Sequence, residues 1–199
     1  MTDRTVIYLA SASPRRSKLL QQIDVPHSVR PVDIDETPDA GEPPAQYALR
    51  LAVEKAHALW ERLPATERRP VLAADTTVAL GDEILGKPVD RDDAVRILGR
   101  LSGRDHEVHT AVALLHAGGI DARVSTSTVS LRRLTETEID WYWRTGEPAD
   151  KAGAYGVQGH GAIFVRHLSG SYSGVMGLPL YETWELLAPV LGFEPQARA

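Results

Sequence analysis

No cysteine occurs in the 199 residues. That absence excludes a disulfide framework, a thiolate nucleophile and any cysteine-based zinc site. No apolar run approaches the roughly 18–20 residues that span a bilayer, so no membrane partner is expected. Met1-Thr2-Asp3-Arg4-Thr5 has no signal-peptide shape, because the apolar stretch after it is only five residues long. The cytoplasm is therefore the expected compartment. Basic charge is also scarce: 22 Lys and Arg against 27 Asp and Glu leave a net charge of −5. A general nucleic-acid binder would carry a basic face, so no nucleic acid is expected. A small polyanion held by a few focused cations remains open.

Several chemical signatures are missing as well. His106 and His109 have no third ligand at a recognisable spacing, which argues against zinc. No serine lies in a nucleophile elbow. No phosphate loop of the Gly-x-x-x-x-Gly-Lys-Ser/Thr type occurs, and the glycines of 153–161 follow a polar segment rather than a strand, unlike a dinucleotide fingerprint.

What is present begins with Val6-Ile7-Tyr8-Leu9-Ala10, read as a buried strand, followed directly by Ser11-Ala12-Ser13-Pro14-Arg15-Arg16. Ser13 and Pro14 read as a helix N-cap and first helical residue, with Leu19, Leu20 and Ile23 as its buried side. A strand entering a helix through such a turn offers free N–H groups and the positive end of the helix dipole to phosphate. Arg15 and Arg16 add two permanently charged planar forks.

Pro26 to Val32 reads as extended and Asp33-Ile34-Asp35-Glu36 as an acidic cluster, with a proline-rich loop from Thr37 to Pro44. Residues 46–62 read as a helix on which Tyr47, Leu51, Lys55 and Leu59 share a face, placing a lysine on or near the apolar side. After a charged linker, two apolar runs within Val71 to Leu80 are interrupted by Asp75-Thr76-Thr77, and Leu85-Gly86-Lys87-Pro88 forms a bend. Asp90 or Asp92 starts a helix through Leu101. His106 to Leu115 and Arg123 to Arg132 form a hairpin around Gly118-Gly119. Thr135 and Glu138 make a capping box. Four glycines in the eleven residues from Lys151 to Gly161 mark a loop of demanding geometry. Ile163 to Arg166 reads as a strand, Ser169 to Gly177 as a flexible loop, and Pro179 to Leu191 as a final helix before a loose tail. Alternating elements followed by a hairpin predict an α/β domain with a mixed sheet and flanking helices.

Asp75 sits where an unpaired carboxylate would be costly to bury. It is either a turn cap or a carboxylate facing a cleft, able to bind a metal or accept a proton. Glu36, Lys55 and Lys87 each have an ordinary solvated alternative, but their joint occurrence with an anion-binding turn points to phosphate.

Leu9 to Arg16 resembles the opening motif of the Maf family of nucleoside triphosphate pyrophosphatases. Asp33 to Glu36, Ala74-Asp75-Thr76, Leu85 to Pro88, Leu101-Ser102-Gly103, Thr110-Ala111-Val112, Lys151 to Gly159 and Gly177 to Leu180 resemble later family blocks in the same order. The likeness spans nearly the whole chain, so residues 1–199 are expected to form one domain. It implies two lobes around a deep nucleotide-binding cleft (Maf/ITPase-like), often in a homodimer. The implied reaction cleaves a nucleoside triphosphate between its α and β phosphates with a divalent metal, Mg²⁺ or Mn²⁺. Lys151 to Gly159 is similar to the branch acting on dTTP and UTP, which implies a house-cleaning role that extends to modified pyrimidine triphosphates.

Carried over, the proton acceptor falls on Asp75 and the specificity positions on Arg15, Thr76 and Gln158. Phosphate and metal contacts fall on Arg16, Glu36, Lys55 and Lys87, with Asp75 also influencing metal and Ser11 and Ser13 lining the turn. Thr77-Val78 departs from the two aliphatics of many relatives, at a place expected to touch no functional position. The competing reading from another class is a nucleotide-binding regulator of cell division with little hydrolysis.

Overall fold

The computed structural model describes residues 6–192. Met1 to Thr5 and the tail expected to be loose after Gly192 lie outside the described residues. Strand β1 (Ile7–Leu9) is wholly buried and pairs in parallel with β2 (His27–Val29) on one side and β3 (Val71–Leu80) on the other. Beyond β3 the sheet turns antiparallel through β5 (Asp105–His116), β6 (Gly119–Leu131) and β7 (Val165–Ser169). The short β4 (Glu83–Leu85) folds back on the far end of β3. The result is a seven-stranded mixed sheet in the order β2-β1-β3-β5-β6-β7, with β4 beside β3.

Helix α1 (Pro14–Gln22) begins at the expected residue, with Pro14 in its first turn, but Ser13 makes no side-chain cap. Its N–H donates instead to the Ser11 hydroxyl at 3.2 Å. Helix α2 (Pro44–Arg62) buries Ala48, Leu51, Ala52, Lys55, Ala56 and Leu59 on one stripe. In α3 (Arg91–Leu101) the cap is Asp90, whose carboxylate accepts from the Asp93 N–H at 2.8 Å. The capping box of α4 (Glu136–Arg144) forms as expected.

Two loop readings are corrected. Residues 160–164 coil into a 3-10 turn, so the following strand is displaced to Val165–Ser169. The segment from Ser169 to Gly177 contains a short helix, α5 (Tyr172–Met176), because the Ser171 hydroxyl caps it through the Gly174 N–H and Gly177 ends it at φ +119°. The last helix, α6, runs Leu180–Leu191.

Three buried clusters explain where the cleft lies. Leu72 and Ala74 of β3 pack with α1 and α6 on one face, while Val71 and Ala73 pack under α2 on the other. Further along, Val78 joins a separate core with Leu85, α3, α4 and Tyr155. The long strands thus serve two lobes, and the polar break of β3 falls between them. Thr76 lies opposite Thr110, which lies opposite Ser125, so buried hydroxyls continue the break across the sheet. Backbone pairing keeps β3 continuous through Asp75-Thr76-Thr77, where apolar periodicity alone sees two runs.

Candidate active site

A cleft of about 510 Å³ opens at this break. It is lined by the α1 entry turn, Glu36, Tyr47 and Lys55, the middle of β3, the Gly86-Lys87 bend, and loop residues including Gln158 and Gly177. All ten candidate residues, Ser11, Ser13, Arg15, Arg16, Glu36, Lys55, Asp75, Thr76, Lys87 and Gln158, line it together.

Lys55 occupies the centre. Its Nζ lies 2.7 Å from Asp75 Oδ1 and 2.6 Å from Glu36 Oε1. The helix stripe explains the approach: α2 packs on the sheet with its alanines, and the lysine beside them reaches the carboxylate of the strand below. Burying Lys55 and Asp75 is tolerable because each supplies the other's counter-charge. Partial burial pushes the Glu36 carboxyl up in pKa, but the Lys55 ammonium, with Lys87 and Arg16 nearby, more than reverses this. Glu36 therefore stays ionised below the usual carboxylate range.

On the other face, Arg16 is fixed in three directions. Its Nε donates to the Gly177 carbonyl at 2.8 Å, Nη1 to Ser11 Oγ at 2.9 Å and Nη2 to Thr76 Oγ1 at 3.3 Å. Burial lowers its pKa, and the charge of Asp75 opposes the shift. Thr76 is held in turn by the Thr110 hydroxyl, which bonds both Thr76 Oγ1 at 3.0 Å and the Gly174 carbonyl at 2.8 Å. Arg15 points elsewhere and pairs with Asp150 at 2.9 Å.

Sequence reasoning missed several supports. The Tyr47 hydroxyl donates to the Glu36 carbonyl at 2.7 Å, and burial raises its pKa to about 12, so it remains a donor. Arg50 clamps the acidic loop through Glu42 at 2.7 Å and the Thr37 carbonyl at 3.1 Å. The shared face of Tyr47 and Lys55 was the available signal for Tyr47; Thr110 carried none beyond its place in a family block, and Asp150 carried none. Thr77 requires a correction. Its hydroxyl donates to Asp75 Oδ2 at 3.5 Å, because residues i and i+2 of a strand share a face, so the departure does touch a candidate residue.

Residues 6–190 match the profile of the family described as Maf-like protein. The chain belongs to the Maf family. Among its Maf relatives, a protein named dTTP/UTP pyrophosphatase from Bordetella parapertussis (strain 12822 / ATCC BAA-587 / NCTC 13253) is 51% identical, covering 94% of this chain and 96% of that one. One of the same name from Myxococcus xanthus (strain DK1622) is 53% identical over 93% and 92% of the two chains. A solved structure titled "The structure of the Staphylococcus aureus Ham1 protein" overlaps at a TM-score of 0.44 and 14% identity, covering 94% of this chain and 97% of that one.

The donor set also bears on a metal. Among the described residues no group of three or more His, Asp or Glu could hold an ion alone. Glu36 and Asp75 nevertheless converge on one ammonium, and Mg²⁺ commonly takes one or two carboxylates with the remaining ligands from substrate phosphates and water. The residues present fit an ion that arrives with a triphosphate. No helix among the described residues is long and apolar enough to cross a membrane.

Proposed function

We propose that this Maf protein hydrolyses dTTP and UTP, and modified pyrimidine triphosphates, between the α and β phosphates, releasing a monophosphate and pyrophosphate. The observation that carries the reading is the Asp75–Lys55–Glu36 cluster at 2.7 and 2.6 Å inside a cleft that also gathers Arg15, Arg16 and Lys87. A protein that only bound nucleotide would have little use for two carboxylates beside phosphate. The names of the relatives, at about half identity over most of the chain, support the choice of substrate.

In the proposed reaction a water attacks the α-phosphorus in line and the bond to the bridging oxygen breaks, so that pyrophosphate leaves. Asp75 accepts the water proton. Its Oδ1 is engaged by Lys55, so Oδ2, which among the described residues receives only a long contact from Thr77, has the greater capacity to take it. Arg15, Arg16, Lys55 and Lys87 balance the charge that collects on the leaving group. Glu36 and Asp75 would hold Mg²⁺ or Mn²⁺, which when bound withdraws charge from phosphate oxygens. Ser11 and Ser13, on the turn before α1, line the phosphate end. Gln158 both donates and accepts, which suits the carbonyl and N–H edge of uracil or thymine, with Thr76 assisting. The cytoplasmic setting is carried over as the expectation of the sequence reading, and the homodimer as that of the family resemblance.

The test is incubation with Mg²⁺ or Mn²⁺ and a panel of dTTP, UTP, CTP, GTP, ATP and 7-methyl-GTP, measuring pyrophosphate and single phosphate separately. Pyrophosphate mainly from dTTP and UTP is the expected result. Binding without release would favour a nucleotide-sensing regulator, and single phosphate would place the cleavage at another bond.

A further inference from the structure

Glu147 does not line the cleft, yet it organises the loop that does. Its side chain, only 15% exposed, stands at the start of the 3-10 turn Glu147–Asp150. Oε1 accepts from the Tyr142 hydroxyl at 2.7 Å and from the Gly161 N–H at 3.1 Å. Oε2 accepts from the His160 N–H at 2.7 Å and lies 3.1 Å from His160 Nδ1. The Tyr142 hydroxyl also accepts the Gly156 N–H at 2.9 Å. The backbone is therefore tethered at 156, two residues before Gln158, and at 160, two residues after it.

The glycines make this winding possible. A Cβ on Gly159 would stand 2.2 Å from Glu147 Oε2, and one on Gly161 would stand 2.6 Å from the Tyr142 hydroxyl. The other end of the turn reaches across the cleft. Asp150 Oδ2 accepts from Arg15 at 2.9 Å, while Asp150 Oδ1 accepts from Lys151, whose Nζ also donates to the Glu147 carbonyl at 2.6 Å.

We propose that Glu147 is a positioning residue for base selectivity: through Tyr142 and residues 156–161 it fixes Gln158, while Asp150 on the same turn fixes Arg15. The inference rests on the reading of Gln158 as the residue that meets the base. Glu147 touches no substrate and takes no part in the bond-breaking step.

Glu147→Gln keeps the shape but turns an NH₂ toward N–H donors, so at least one tether is lost. Its expected effect is a KM for dTTP raised about tenfold with kcat little changed, and a dTTP-over-GTP preference reduced by a similar factor. Gln158→Ala is measured beside it, and Leu187→Ala, buried on α6 in a different core cluster from Tyr142 and Tyr155, supplies a variant that is destabilised only. If Glu147→Gln does not fold, Tyr142→Phe, which removes the hydroxyl joining Gly156 to Glu147, takes its place with the same expectation. Narrowed preference in both the Gln158 and Glu147 variants but not in Leu187→Ala supports the inference. If Gln158→Ala narrows it and Glu147→Gln does not, the inference falls while the reading of Gln158 stands. Equal narrowing in Leu187→Ala would also overturn it, since loss of stability would suffice. An unchanged preference in Gln158→Ala removes the base-reading role and the inference with it.

Discussion

Lys55 serves two carboxylates from one side of the cleft, so substitutions around it separate charge from shape. Asp75→Asn preserves volume and the strand but removes the proton acceptor. Turnover with dTTP should fall by roughly 10²–10⁴-fold while nucleotide binding changes little; near-normal turnover, measured as pyrophosphate release, would remove Asp75 from the chemistry. Thr77→Val deletes a hydroxyl 3.5 Å from Asp75 Oδ2 and keeps the β-branched shape. A bond that long contributes little, so turnover should stay within about tenfold of the parent. A larger loss would make Thr77 part of the machinery. Lys55 and Asp75 were legible in the sequence because charged side chains stand out at apolar positions, whereas Thr76 and Gln158 were picked out by the family resemblance. The partners of the candidate residues were not legible, since Tyr47, Thr110 and Asp150 are ordinary residues for their local segments and matter only through contacts 11, 34 and 135 residues away.

At the scale of elements, the glycine-dense loop places the strictest demand on backbone shape. Gly153 adopts φ +70°, its N–H donates to the Gly86 carbonyl at 3.0 Å, and a Cβ there would meet Val78 Cγ1 at 2.9 Å. Gly153→Ala should destabilise the protein by about 1–3 kcal/mol from backbone strain alone, with further cost from the contact, read as a lower denaturation midpoint. Normal stability would show that β3 and the loop can move apart freely. Helix starts were readable in part: Asp90, one of two candidates, and Thr135 with Glu138 cap where capping chemistry places them, whereas Ser13 makes no side-chain cap. Helix α5 was missed because five residues containing a glycine have almost no periodicity, and its cap depends on Ser171 being held by Ser127 of β6 at 2.9 Å.

For the whole molecule, pH should act through a histidine remote from Lys55. His106, on β5, bonds the Tyr155 hydroxyl at 2.7 Å and leaves Nδ1 buried without a partner among the described residues. Burial, opposed weakly by Asp105, lowers its pKa to about 4 from an ordinary 6.5. The folded state thus favours the neutral ring. That contribution is complete above pH 6.5, declines as pH falls and the unfolded chain takes up a proton first, and is fully lost near pH 4. Its size is on the order of 3 kcal/mol. His106→Gln should flatten this part of the stability profile, measured by denaturant unfolding between pH 7 and 4; an unchanged slope would assign the acid limb to other groups.

The sequence by itself determined the α/β class, the mixed sheet, the family and the residue types available for phosphate chemistry, because these depend on local periodicity, caps and short blocks of neighbouring residues. Tertiary structure alone decided that β3 runs unbroken between two cores, that Lys55 bridges Asp75 and Glu36, and that one short turn ties Arg15 to the loop bearing Gln158. Those arrangements depend on sheet register and on side chains meeting across long stretches of chain, which local periodicity does not encode.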